Sequence, residues 1–138
     1  MTWKGPDAER PEGPLTGPER PMLQAFLDWQ RATLLHKCAG LTGEQLAERT
    51  VPPSGLSLLG LVRHMTKVER AWFRQRFAGE PVDDPFGDDK SADFEQTDPA
   101  RAAAQIQGFQ PTRAWPGHRG WPNGQRCGLC SNRDTGMR

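Results

Sequence analysis

The sequence predicts an all-α fold, and three observations predict it. Apolar residues recur at helical spacing over two long segments. No segment alternates as a strand does. Ser, Thr, Asp, Pro and Gly stand where helices begin and end. The patterned part spans residues 21–107, the size of one domain, while residues 1–20 and 108–138 do not share its pattern.

The first helix begins near Pro21, whose fixed φ suits a first turn. Met22, Leu23, Phe26, Leu27 and Leu34 form its apolar face, and Gly40 ends it. Thr42 followed by Gln45 is a capping-box pattern for a short segment through Glu48. Val51-Pro-Pro-Ser-Gly55 reads as a stiff corner. The second helix runs from an N-cap at Ser57 to Ala78, with Gly79 just past its end. At about 100° per residue, Leu58, Leu61, Val62, Met65, Val68, Trp72 and Phe73 share one arc. Arg63, Lys67, Arg70 and Arg74 share the opposite arc, which reads as a solvated face.

Residues 79–97 hold Glu80, Asp83, Asp84, Asp88, Asp89, Asp93 and Glu95 against Lys90 alone, and read as a solvated acidic linker. Their spacing is not that of a calcium-binding loop. Asp98-Pro99 is an N-cap followed by Pro at the first helical position, opening a third helix that stops at Gly108 and Pro111.

The flanks differ in composition. Residues 1–20 carry four Pro, three Gly and seven charges without periodicity, which predicts a disordered leader. Residues 1–107 hold 13 Lys/Arg and 16 Asp/Glu, whereas residues 108–138 hold five Arg and one Asp. That last segment has no Val, no Ile and a single Leu, so it reads as an irregular Arg/Gly/Trp/Pro tail with no core face. Net charge over the chain is +1, which favours neither nucleic acid nor a membrane surface as partner. No apolar run reaches the roughly 18–20 residues of a membrane helix, and the N-terminus lacks the apolar core of a signal peptide. Three cysteines make no disulfide framework, and a cytoplasmic location follows as the expectation.

Two side chains on the second helix could carry chemistry. His64 stands at the border of the apolar arc, where a neutral imidazole is either a ligand for zinc or a similar metal or an ordinary helix-edge histidine. Glu69 falls near the centre of that arc, where a carboxylate must be paired, hydrogen-bonded or protonated. It is a candidate general base, or else one half of an ion pair with an Arg on another helix. Cys127-Gly-Leu-Cys130 is a lone CxxC pair, short of the four ligands of a structural zinc site unless Cys38 or His118 joins it. Cys38 reads as a packing residue and His36 as a surface residue near a helix C-terminus.

Longer stretches carry a resemblance. Phe-Leu-Asp-Trp-Gln-Arg at 26–31, Lys-Cys-Ala-Gly-Leu at 37–41, Val-Pro-Pro-Ser-Gly-Leu-Ser-Leu-Leu-Gly-Leu-Val-Arg-His at 51–64 and Val-Glu-Arg-Ala-Trp-Phe at 68–73 are collinear with the actinobacterial mini-circle protein family. The chain resembles that family, a branch of the DinB-like superfamily, over residues 20–107. The resemblance implies an antiparallel four-helix bundle, often dimeric. It also implies kinship with metal-dependent thiol transferases and isomerases that hold a divalent metal, zinc or nickel, with three histidines. His64 matches the first of these, on the second helix. The other two would stand as His-x-x-x-His on a fourth helix, and neither that helix nor that motif is in this sequence.

The resemblance therefore implies an incomplete DinB-like bundle: helices one, two and the start of three. The abrupt change of composition is what a shifted reading frame in a GC-rich gene produces, and a genuine divergent tail is the alternative. Three functional readings follow. The first is an enzyme relative inactive for want of its second and third metal ligands, with His64 and Glu69 at the site. The second is a non-catalytic helical interaction module or homodimer, covering its exposed helical faces with a partner. The third is a zinc-binding tail built on Cys127 and Cys130.

Overall fold

The computed structural model describes residues 2–109 apart from Asp88 and Lys90. The described residues form an all-α fold. In chain order the helices are α1 (Glu19–Cys38), α2 (Gly43–Ala47), α3 (Leu58–Glu69), α4 (Ala92–Glu95) and α5 (Ala102–Gly108).

The helix ends fall where their local chemistry places them. Thr42 and Gln45 make a reciprocal capping box at α2. The Ser57 hydroxyl accepts from the Gly60 amide at the start of α3. The Asp98 carboxylate accepts from the Ala100 amide, ahead of a 3-10 turn at Pro99–Arg101 that leads into α5. Gly40 and Gly79 take φ of 74° and 68°, the left-handed conformation that closes helices at low steric cost. α1 opens at Glu19, two residues before the expected Pro21. The long second helix changes pitch: after Glu69 the chain continues as a π-helix over Arg70–Phe77.

The core gathers Cys38, Leu46, Leu59, Val62, Ala102, Ile106 and Phe109. Cys38 at the end of α1 joins Leu59 and Val62 near the start of α3, while Arg31 in mid-α1 reaches Glu69 at the far end of α3. The two helices therefore run antiparallel. α5 and α2 close the same end, with Ile106, Phe109 and Leu46 at most 3% exposed.

The buried stripe of α3 differs from the expected arc. Leu59, Gly60, Val62 and Arg63 are its buried residues, whereas Trp72 is 56% exposed. Periodicity placed Arg63 on a solvated face, and the structure buries it to 5% exposure. The cause is the acidic segment. It is a solvated linker only in part: Asp83, Asp84, Asp89 and Glu95 are exposed, but Ala92 and Asp93 are 1% exposed, in a short helix packed on α3.

Residues 2–8, which composition alone reads as leader, touch the bundle. The Gly5 amide donates to Leu41 O at 2.8 Å, the Gly40 amide donates to Gly5 O at 2.9 Å, and Trp3 packs against the core. No helix among the described residues is long and apolar enough to cross a membrane. Gly108 and Phe109 are the described residues of the C-terminal segment; the expectations placed on His118, Cys127 and Cys130 lie outside the described residues.

Candidate functional site

The site is built where the segment after the π-helix folds back along α3. Four positions of α3, spaced i, i+3, i+4 and i+7, receive it. At Gly60 the approach is close: a Cβ there would lie 3.2 Å from Ser57 Oγ and 3.4 Å from Phe94 Cα, so glycine admits the returning backbone. Arg63 donates from Nε to Asp93 O at 2.9 Å and from Nη2 to Ala92 O at 2.8 Å, and its guanidinium lies 4.0 Å from the Phe86 ring centroid. His64 Nδ1 meets Asp93 Oδ2 at 2.7 Å. Lys67 Nζ pairs with Asp84 Oδ2 at 3.0 Å.

These contacts explain the burial of charge. Arg63 is pulled below its ordinary pKa range by desolvation; the charge of Asp93 opposes this and that of Arg101 adds to it. Desolvation raises Asp84, but the Phe86 amide and the Lys67 ammonium outweigh it, so the carboxyl is held below its usual range.

His64 is fixed on two sides and stays partly exposed. Its ring stacks on Phe94 with centroids 4.7 Å apart and planes 28° apart. Nδ1 is taken by Asp93, and the side chain remains 39% exposed. Asp93 is the opposite case: its side chain is 2% exposed, and Oδ1 is buried without a hydrogen-bond partner among the described residues.

Glu69 stands elsewhere. Arg31 donates to it through a fork, Nε to Oε1 at 2.7 Å and Nη2 to Oε2, and Arg31 also bonds Asp28 at 3.2 Å. Burial draws the Arg31 guanidinium down in pKa; Glu69 first and Asp28 second more than offset this, so it rises above its ordinary value. The sequence left Glu69 as a candidate general base or as one half of an ion pair with an Arg on another helix, and the structure makes that pair, with α1 supplying Arg31. Both Glu69 oxygens are taken by Arg31, and neither bonds to His64. The structure thus brings His64 together with Asp93, not with Glu69.

Asp93 is the residue that sequence reasoning missed. Its signal was the row Gly60, Arg63, His64 and Lys67, a small residue and three potential cations on one helical face, followed by a segment rich in Asp.

Residues 22–115 match the family model described as Mycothiol-S-transferase. The chain belongs to the mycothiol-S-transferase family. No curated protein and no solved structure matches it. The family match extends beyond residue 107, where the helical pattern of the sequence ends. In this family setting His64 lies on the helix where the DinB-like resemblance places a first metal ligand. Among the described residues, no group of three or more His, Cys, Asp or Glu is placed to hold a metal ion. A catalytic zinc site takes three protein ligands, so the described residues alone do not make one.

Proposed function

We propose that this chain is a mini-circle-type member of the mycothiol-S-transferase family that keeps one element of a thiol-transferase metal site and does not itself turn over. The observation that carries this is His64: an imidazole held at Nδ1 by a buried carboxylate, backed by an aromatic ring, with its side chain 39% exposed. A histidine that ligates a metal is commonly built this way, one nitrogen for the ion and the other bonded to a carboxylate. In complete relatives a divalent ion, zinc or nickel, supplies Lewis acidity toward a thiol or water. Here His64 offers one donor, and Glu69, the candidate general base, is engaged by Arg31. Its place in the site would require that fork to open. A cytoplasmic location suits a thiol-dependent family.

The test is a thiol-transfer assay on the full chain, with a mycothiol-type thiol and an electrophilic acceptor in the presence of zinc or nickel. No turnover above the uncatalysed rate is expected. Turnover that disappears in His64→Ala would overturn the assignment of inactivity.

A second reading has its own observation. Leu23 and Phe26 on α1 and Trp72 on the π-helix are each more than half exposed, and apolar surface of this kind is available to a partner. It supports an interaction module or a homodimer. Sedimentation of the purified chain as a monomer at micromolar concentration would remove the homodimer. The zinc-tail reading rests on Cys127 and Cys130, outside the described residues.

A further inference from the structure

We propose that Asp93 is the positioning residue of this site: it holds His64 in the tautomer with its proton on Nδ1, so that the Nε2 lone pair is the donor presented to a ligand. This rests on the reading of His64 as the functional group and deepens it, since neither the family match nor the histidine alone assigns a role to Asp93.

The argument begins with burial. An almost fully buried carboxylate must be compensated or it destabilises the fold. Among the described residues, no backbone amide donates to the side-chain oxygens of Asp93. Oδ1 has no partner among the described residues, and the bond made by Oδ2 is to His64. The nearby guanidinium of Arg63 contributes charge but spends its two hydrogen bonds on the backbone carbonyls of Ala92 and Asp93. The side chain of Asp93 is therefore carried into the interior by a bonded backbone and is directed at one group, the imidazole. A carboxylate accepts and does not donate, so at 2.7 Å Nδ1 carries the hydrogen. In a neutral ring Nε2 is then the acceptor.

Three further contacts hold this geometry. Phe94, the next residue, covers one face of the ring. Gly60 lets the backbone of Phe94 approach α3. Arg63 clamps the carbonyls of the two peptide groups that flank the Asp93 Cα. The ligand class that suits an unprotonated Nε2 on this partly exposed ring is one that accepts a nitrogen lone pair: a divalent cation, or the acidic hydrogen of a thiol.

The experiment is nitrogen-15 spectroscopy of the full chain labelled at histidine, metal-free and at mildly alkaline pH. The expected spectrum puts His64 Nδ1 in the protonated position and Nε2 in the unprotonated one, the reverse of the preference of a free imidazole. Asp93→Asn can turn its amide NH2 toward Nδ1, and the two resonances should then exchange positions. A wild-type spectrum with the proton on Nε2 would overturn the proposal, as would a proton that stays on Nδ1 in Asp93→Ala, where no side-chain acceptor remains at position 93. The wild-type spectrum decides the matter even where the variant does not fold. Because no metal is present, this outcome is independent of whether His64 later proves to bind zinc.

Discussion

Arg31 on α1 and Glu69 at the last position of α3 are joined by two parallel hydrogen bonds, and that fork is the polar tie between the two long helices. Their side chains are 12% and 19% exposed, so the pair is neither free in water nor fully desolvated. Truncating one member leaves a half-buried charge, whereas removing both leaves none. Glu69→Leu is therefore expected to lower stability by about 1–3 kcal/mol. The double variant Arg31→Met with Glu69→Leu should lose clearly less than the sum of the single changes. Denaturant melts of the four proteins check this, and a stabilising Glu69→Leu would show that the fork contributes nothing.

Arg63 fixes the returning segment, and its loss should be read there rather than across the whole chain. Arg63→Met keeps much of the side-chain length but leaves the carbonyls of Ala92 and Asp93 without their donors. The expected cost is about 1–3 kcal/mol. Hydrogen exchange should accelerate at the amides of Phe94, Glu95 and Gln96, whose bonds close the short helix. Unchanged exchange at these three amides would mean that α4 is held by other contacts.

The helices were legible in the sequence because their causes are local. Thr42 with Gln45, Ser57, and Asp98 with Pro99 each act within one turn of the residues they cap. The antiparallel pairing of α1 and α3 was implied by the DinB-like resemblance, not by the periodicity of either segment. The site was only half legible. His64 could be singled out from its place on α3, but its partner comes from 29 residues further on, in a segment whose acidic composition argues for solvent. An arginine on a helix is equally ambiguous: at position 63 the same side chain that would be solvated on an open face satisfies two carbonyls on a covered one. Periodicity registers how apolar a face is and says nothing of a polar strap laid over it. Glu69 shows the converse case. Its burial and the kind of partner it needs, an Arg on another helix, were legible; which Arg, and that it stands on α1, was not.

Cys38 yields a pH prediction. Burial at 1% exposure pushes its thiol from 9.0 up to about 11. The neutral thiol is the form the fold prefers, so the stability it contributes is full below the unfolded pKa. That stability is lost as pH rises from about 9 through the folded value. The difference in unfolding free energy between wild type and Cys38→Ala should be constant across neutral pH and shrink on the alkaline side. A difference that stays flat to pH 11 would contradict the burial of the thiol. At neutral pH the same shift makes Cys38 a poor nucleophile, so thiol reagents should modify it only after unfolding.

Metal stoichiometry tests the central claim most directly. The full chain is loaded with zinc, dialysed, and its metal content measured beside that of His64→Ala. One ordered imidazole, where a catalytic site takes three protein ligands, predicts weak binding and no stoichiometric metal after dialysis. One metal retained per chain in wild type and none in His64→Ala would contradict the account, by showing that His64 belongs to a complete centre.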